Sequence, residues 1–292
     1  MTQQAAGYED SDIPLASGRL RVRRWGAADA PAVVCVPGLS ANLCGFDCLA
    51  EQLASDVLQL VAIDLRGRGR SEVTGPGSYG WRHHARDVLG VADAVGAASF
   101  AVIGQSSGAA IAMTCAQLAP SRVERLVLVD LAGSPDERAA VPVVASVSRL
   151  GAVYPSAQAA IALIKQTGIV PEWDQYWDRY FTYELREVDG GVTASSDRGA
   201  VLEDLGYGAA MYWPGPDAPI RALWTAVTMP ALVLRARREI LPGFGFILPA
   251  AEAERFAAAV PSARVVQIDA NHYTITTHDD CIAAIGTFLP TS

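Results

Sequence analysis

The chain has 292 residues, of which 51% are apolar and 18% are charged, and its formal net charge is −8. This length suits one large α/β domain with an insertion, or two small domains. The acidic balance, without a basic cluster, argues against a nucleic-acid-binding protein. No apolar run reaches the roughly 18–20 residues that a membrane-spanning helix needs.

The chain begins with polar residues, which predicts a polar tail over residues 1–14. It shows neither a basic start nor an apolar stretch, so no secretion signal is expected and cytoplasmic residence is the resulting expectation. Arg21–Trp25 alternates in polarity, which predicts an antiparallel edge strand. Continuous apolar runs then predict strands covered on both faces, as in a parallel sheet flanked by helices. These runs are Val33–Val36, Gln59–Asp64, Phe100–Ile103 and Leu126–Val129.

The third apolar run leads into Gly104-Gln105-Ser106-Ser107-Gly108, which is followed by a small-residue helix pattern. A strand, a G-x-S-x-G turn and a helix form the context of a nucleophile elbow. The two glycines remove side chains that would collide in so tight a turn. Ser106 is therefore the candidate nucleophile. Its hydroxyl needs a neighbouring base, and histidine occurs only at positions 83, 84, 272 and 278.

Three further segments give the chain a resemblance to the α/β-hydrolase superfamily. Residues 31–40 resemble the strand that runs into a glycine-containing oxyanion loop. Residues 64–71 resemble the family's D-x-R-G-x-G-x-S loop, and residues 265–272 resemble its strand-to-histidine segment. The order of serine, acid and histidine along the chain is also the order of this superfamily.

The resemblance implies an α/β fold with a mostly parallel sheet flanked by helices. It implies a core domain of residues 15–133 and 228–292 and an inserted helical cap over residues 134–227. It also places the catalytic base at His272.

Two carboxylates are candidates for the third member of the triad. Glu239 follows the strand pattern Ala231–Arg235 and is favoured, although aspartate is more common in the family at this position. Asp130 ends the strand after the elbow and is the competing candidate. Either side chain can accept the imidazole N–H and stabilise the cation that forms during attack.

The expected oxyanion-hole donors are the backbone N–H groups of Leu39 and Ser107. Pro37 stands where the family often has histidine, so the shape of this loop departs from the family pattern. The glycines of residues 64–71 do not match a dinucleotide-binding pattern, and no cofactor is expected. Cys44 and Cys48 have no neighbouring histidine or second C-x-x-C motif, so no metal site is expected either.

The insertion contains an aromatic stripe at the spacing of one helix face. Its members are Trp173, Tyr176, Trp177, Tyr180 and Phe181. One interpretation is that the stripe packs the insertion onto the core, and another is that part of it lines an apolar substrate pocket. The two are compatible. In the second, Trp173, Tyr176, Trp177 and Tyr180 are substrate-binding residues.

The expected activity is cofactor-independent hydrolysis of a carboxylic ester or lactone of a small, largely apolar molecule through an acyl-enzyme. Cleavage of a C–C bond in a β-diketone or keto acid, and amide or peptide hydrolysis, stay open as enzymatic alternatives. A ligand receptor on the same fold is the non-enzymatic alternative. The expected partner is a small-molecule substrate, with neither nucleic acid nor membrane expected and homodimer formation left open.

Overall fold

The structure, a computed structural model, describes residues 7–211 and 218–289. Its strands are β1 (Tyr8–Leu15), β2 (Gly18–Trp25), β3 (Ala32–Val36), β4 (Gln59–Ile63), β5 (Phe100–Gln105), β6 (Val123–Val129), β7 (Leu185–Val188), β8 (Gly191–Ala194), β9 (Ala231–Ala236) and β10 (Ala263–Ile268). Eight of these form one sheet in the order β1-β2-β4-β3-β5-β6-β9-β10, and β7 pairs with β8.

The sheet is parallel from β4 to β10, and β1 and β2 extend it as antiparallel strands at one edge. Every residue of β3 and β4 is buried, as continuous apolar runs require. Val34 packs in the hydrophobic cluster on one face of the sheet, and Val33 packs in the cluster on the other. The predicted mostly parallel sheet with two covered faces is confirmed.

The helices are α1 (Asp47–Leu53), α2 (Trp81–Ala94), α3 (Ser107–Leu118), α4 (Ala140–Ser148), α5 (Ala157–Gln166), α6 (Gln175–Tyr183), α7 (Arg198–Met211), α8 (Ala250–Ala259) and α9 (Asp279–Phe288). The buried side chains of α2, α3 and α8 pack on one face of the sheet, and those of α1 and α9 pack on the other. Across the two described ranges, no helix has both the length and the apolarity that crossing a membrane requires.

The predicted polar tail is wrong for the part of it that the structure describes, because Tyr8–Leu15 forms an edge strand. Opposite charges face each other across β1 and β2: Asp10 lies 2.6 Å from Arg23, and Asp12 lies 2.6 Å from Arg21. A water-exposed edge strand needs no apolar period, so the polar sequence concealed it. Residues 1–6 of the predicted tail lie outside the described residues.

Between β6 and β9 the chain forms α4 to α7 and also the β7–β8 hairpin. An inserted helical cap is the expectation for this segment, and the β7–β8 hairpin departs from it. The missed signal is Asp189-Gly190, a two-residue turn type that favours hairpins. Residues 212–217, which also belong to the predicted cap, lie outside the described residues.

Hydrogen bonds tie this insertion to loops at the carboxyl ends of the core strands. The Tyr183 hydroxyl donates to Asp64 Oδ2 at 2.7 Å, just after β4. The Tyr176 hydroxyl donates to the carbonyl oxygen of Cys44 at 2.9 Å, in the segment after β3. The insertion therefore lies against the edge of the sheet where the elbow is found.

Candidate active site

Ser106 occupies the turn between β5 and α3 in a strained backbone conformation. Its φ is 56° and its ψ is −127°, a region that residues with a side chain rarely adopt. The Ser106 N–H donates to Val129 O at 2.9 Å, which ties the turn to the neighbouring strand β6. Such strain persists only where the surrounding structure enforces it. The turn thus has the geometry that a nucleophile elbow requires.

Glycines let three backbone segments meet at this turn. A Cβ on Gly104 would collide with the carbonyl of Gly108, and a Cβ on Gly108 would collide with the carbonyl of Val36. A Cβ on Gly38 would lie 3.1 Å from the Cβ of Ser106. The loop after β3 can therefore pass directly beside Ser106.

His272 lies in the loop after β10, and 7% of the residue is exposed. Asn271 shapes this loop, because its side-chain oxygen accepts from the N–H groups of Tyr273 and Thr274 at 3.0 Å each. The Asn271 amide also donates to Ile169 O of the insertion at 2.9 Å. The imidazole is therefore held by a loop that is fixed both internally and against the insertion.

The imidazole pairs with Asp130, which directly follows β6. His272 Nδ1 lies 2.8 Å from Asp130 Oδ2, and the second oxygen of Asp130 accepts the N–H of Ala236 at 2.9 Å. Asp130 is 2% exposed and has a φ of 53°, an unusual value for a residue other than glycine. Because a carboxylate only accepts, the neutral imidazole that fits this contact carries its proton on Nδ1, which leaves the lone pair on Nε2.

Glu239 makes a different set of contacts, and the expectation that favoured it as the partner of the imidazole is wrong. Its carboxylate accepts the N–H of Gly243 at 2.5 Å and the N–H of Gly245 at 3.1 Å. Both glycines have positive φ, so the chain after β9 folds back over Glu239. The donors of its own loop satisfy this carboxylate, and Asp130, the competing candidate, contacts His272 instead.

The two expected oxyanion donors lie in segments that flank Ser106. Leu39 belongs to the loop after β3 and lines the cavity described below. Ser107 is the first residue of α3, where N–H groups have no partner within the helix and the helix dipole is positive. Arg68 fixes the Leu39 loop, because its Nε donates to Leu39 O at 3.0 Å.

Gln105 is a site residue that the sequence interpretation did not assign. Its amide Nε2 lies 3.5 Å from His272 Nε2 and 3.4 Å from His272 O. Its position inside the G-x-S-x-G motif, next to the nucleophile, was the signal available for it. Gln105 therefore lies beside the ring nitrogen of His272 that is not paired with Asp130.

A cavity of about 110 Å³ is lined by both Ser106 and His272. One wall comes from α6 and consists of Tyr176, Trp177, Tyr180 and Phe181, three of which were expected to bind substrate. Trp173 lies outside this wall, and the expectation for it is wrong. It precedes α6, its ring stacks on Phe181 with centroids 5.3 Å apart, and its indole donates to Asp178 at 2.9 Å. The stripe therefore both packs the insertion and faces the cavity.

The cavity wall also contains one arginine and one glutamate, which no sequence signal had indicated. Arg149 Nη1 lies 3.2 Å from Glu184 Oε1. Arg149 directly follows α4 and Glu184 directly follows α6, so their contact depends on how the two helices pack. Arg149 also lines a second cavity of about 330 Å³, which shares Ser146, Ile169 and Tyr273 with the first.

The sequence of the chain matches the model of a known protein family. The sequence model of a family described as the alpha/beta hydrolase fold matches residues 31–279. The chain belongs to the α/β-hydrolase family. The resemblance inferred from the elbow and the histidine segment is thereby confirmed, and so is the fold class.

Curated relatives of this chain match over part of their length. A serine hydrolase-like protein of Danio rerio is 34% identical over 122 residues, which are 41% of this chain and 37% of that protein. N-formylmaleamate deformylase of Pseudomonas putida is 35% identical over 112 residues, which are 38% of this chain and 41% of that protein. These alignments span about two-fifths of the relatives' length.

Solved structures match over nearly the whole chain. E-2-(acetamidomethylene)succinate hydrolase has a TM-score of 0.81 and 21% identity, and the match covers 97% of this chain and 99% of that one. An α/β hydrolase from Novosphingobium aromaticivorans has a TM-score of 0.78 and 26% identity, with 98% and 99% covered. The first of these likenesses establishes the fold alone.

All five cysteines of this chain are free thiols. Burial raises the pKa of the Cys44 thiol above its usual range, and burial raises the pKa of Cys48 to about 12. Within residues 7–211 and 218–289, no cluster of three or more His, Cys, Asp or Glu side chains could hold a metal ion.

Proposed function

We propose that this protein is a cofactor-independent serine hydrolase that cleaves a carboxylic ester or lactone of a small molecule through an acyl-enzyme. Ser106 is the nucleophile, His272 is the base and Asp130 orients His272. The observation that carries the proposal is the His272–Asp130 hydrogen bond beside a cavity that Ser106 also lines. Similarity to serine hydrolase-like proteins supports the same class of reaction.

In the proposed acylation step, Ser106 Oγ attacks the carbonyl carbon of the substrate while His272 Nε2 takes the hydroxyl proton. Asp130 holds the imidazole through Nδ1 and stabilises the imidazolium that forms. The tetrahedral oxyanion accepts hydrogen bonds from the N–H groups of Leu39 and Ser107. Each such donor stabilises the transition state by about 3 kcal/mol.

Collapse of this intermediate transfers the Nε2 proton to the leaving alcohol and leaves the acyl group on Ser106. Water then attacks the acyl carbon while the same Nε2 takes its proton. A second tetrahedral intermediate collapses, the proton returns to Ser106 Oγ, and the acid is released. The two half-reactions use one base and one oxyanion hole, so a single cavity suffices for both.

The geometry gives less support to a ligand receptor on the same fold. Ligand binding alone does not require a serine at a φ of 56°, and it does not require a buried carboxylate beside the imidazole. Backbone strain of this kind costs on the order of 1–3 kcal/mol. A reaction at Ser106 accounts for both features.

Amide hydrolysis is the second candidate, and the printed names of two similar proteins favour it. The Pseudomonas putida relative is called N-formylmaleamate deformylase, and one structural neighbour is called E-2-(acetamidomethylene)succinate hydrolase. Both names contain an acylated nitrogen. The same serine, base and oxyanion donors can serve that bond, provided that the imidazolium protonates the departing nitrogen.

A substrate panel tests the proposal. Short esters, lactones, N-acyl amides and β-diketones are offered to the parent, to Ser106→Ala and to Ser107→Ala. We expect ester or lactone turnover by the parent, a loss of about 10⁶-fold in kcat for Ser106→Ala, and near-parental rates for Ser107→Ala, which keeps its backbone N–H. Turnover of amides in preference to esters would select the second candidate. Normal rates in Ser106→Ala would contradict both.

A further inference from the structure

The Ser106 cavity contains an ion pair whose two partners differ in exposure. The Glu184 side chain is 5% exposed, whereas that of Arg149 is 28% exposed. Both residues line the cavity, and the guanidinium is the more accessible of the two charged groups. Among the described residues that line this cavity, Arg149, Glu184 and His272 are the ones with an acidic or basic side chain.

Hydrogen bonds fix the main chain at Glu184. The carbonyl oxygen of Glu184 accepts from the N–H of Ser195 at 2.7 Å and from the Ser195 hydroxyl at 2.9 Å. Burial raises the pKa of the Glu184 carboxyl, and the charge of Arg149 opposes that shift. The ion pair therefore places one end of the guanidinium beside a residue whose main chain is anchored within the insertion.

The guanidinium has donors that no described residue is shown to accept from. An arginine side chain has five N–H donors in a rigid fork. Among the described residues, Glu184 is the partner recorded for the Arg149 side chain, through Nη1. Arg149 also borders the second cavity, in which it is the one charged residue among the described lining. Arg149 is therefore accessible from both cavities.

We propose that Arg149 binds a free carboxylate of the substrate, so that the substrate is an ester or amide that is also a carboxylic acid. This inference rests on the proposed function. The planar fork matches a carboxylate in a bidentate arrangement, and the resulting hydrogen bonds are charge-assisted. Glu184 positions Arg149 for this contact, and the aromatic wall from α6 contacts the apolar part of the substrate between Arg149 and Ser106.

Matched esters test the assignment without a change of reacting bond. Monomethyl and dimethyl esters of succinate, glutarate and adipate are compared, with methanol release as the measurement. We expect the parent to prefer the monomethyl ester at one chain length. In Arg149→Gln, KM for that ester should rise by about tenfold or more, as loss of a charge-assisted contact implies, while KM for the dimethyl ester should change less than about twofold.

Two controls accompany this comparison. Arg149→Lys keeps the charge and should restore part of the monoester preference. Arg86→Gln removes an arginine that is exposed on α2, outside the cavity walls, and should leave both esters unaffected. Equal changes in KM for the mono- and dimethyl esters in Arg149→Gln would overturn the assignment, and so would a parent without any monoester preference.

Binding separates this inference from the proposed function. Calorimetric titration of Ser106→Ala with each of the three monomethyl esters measures affinity in the absence of turnover, and the ester that binds most tightly is carried forward. Affinity that falls about tenfold when Arg149→Gln is added would support the carboxylate site even if the parent hydrolysed none of the esters. Unchanged affinity would overturn the site even if Ser106 proved to be the nucleophile.

Discussion

Arg68 Nε donates to the carbonyl oxygen of Leu39 at 3.0 Å, which fixes the loop that supplies an expected oxyanion donor. Arg68 is fully buried, and Asp204 of α7 holds its Nη2 at 2.6 Å. His84 Nε2 lies 2.8 Å from the same carboxylate oxygen. An insertion helix is therefore linked to the oxyanion loop through a single buried arginine.

We predict that Arg68→Lys lowers kcat by about tenfold or more. Lysine has a single amino group in place of the guanidinium fork, so it cannot contact Leu39 O and Asp204 at the same time. Arg66→Lys is the matched control. Arg66 is a buried arginine of the same loop whose carboxylate partner is Asp87, with Nε to Oδ2 at 2.7 Å. Both variants should show a lower Tm, and only Arg68→Lys should show a lower kcat. Equal kcat values for the two would contradict a role for Arg68 in positioning Leu39.

The acid is tested by two variants that keep size and remove charge. Asp130→Asn should lower kcat by about 10²–10⁴-fold, because the amide no longer stabilises the imidazolium or fixes its tautomer. Glu239→Gln should leave kcat within about threefold of the parent and lower Tm slightly, since it still accepts from Gly243 or Gly245. Steady-state kinetics on one ester measures both effects. The opposite ranking would assign the acid to Glu239.

The sequence was most informative where function depends on neighbours along the chain. Ser106 with its flanking glycines, and His272 after a strand, could both be located from local patterns. The choice between Asp130 and Glu239 could not be made in that way. Each follows a strand of the same sheet, and what separates them is the direction taken by the loop after β9.

The remaining differences also have physical causes. β1 is held by charge pairs across an exposed edge, so it has no apolar period to detect. Arg149 and Glu184 are 35 positions apart in the sequence, and they meet only because the ends of α4 and α6 converge. Trp173 fits the helical spacing of the stripe, but it precedes the first turn of α6 and packs on Phe181.

The aromatic wall is tested by a pair of tryptophans. Trp177 lines the cavity and Trp173 does not, although both pack with Phe181. We expect Trp177→Ala to raise KM for bulky aromatic esters by about tenfold and KM for acetate esters of small alcohols by less than about twofold. Trp173→Ala should affect both classes of ester alike. An equal effect of Trp177→Ala on both classes would show that the wall serves packing alone.

The thiols should be unreactive at neutral pH even though Cys48 is only partly buried. Burial, together with the nearby carboxylates Glu51 and Asp47, raises the pKa of Cys48 to about 12. At pH 8 only about one thiol in ten thousand is then the reactive thiolate. Iodoacetamide at that pH should leave activity intact and Cys48 unmodified by mass spectrometry. Rapid inactivation with modification at Cys48 would contradict this prediction.

Fluorophosphonate labelling of the parent and of His272→Ala, followed by mass spectrometry of the peptides, tests whether His272 and Asp130 activate Ser106 as a nucleophile. We predict one labelled residue in the parent, Ser106, and labelling slowed by at least about a hundredfold in His272→Ala, since the serine needs its base. Labelling at another residue, or an unchanged rate in the folded His272→Ala protein, would contradict the account.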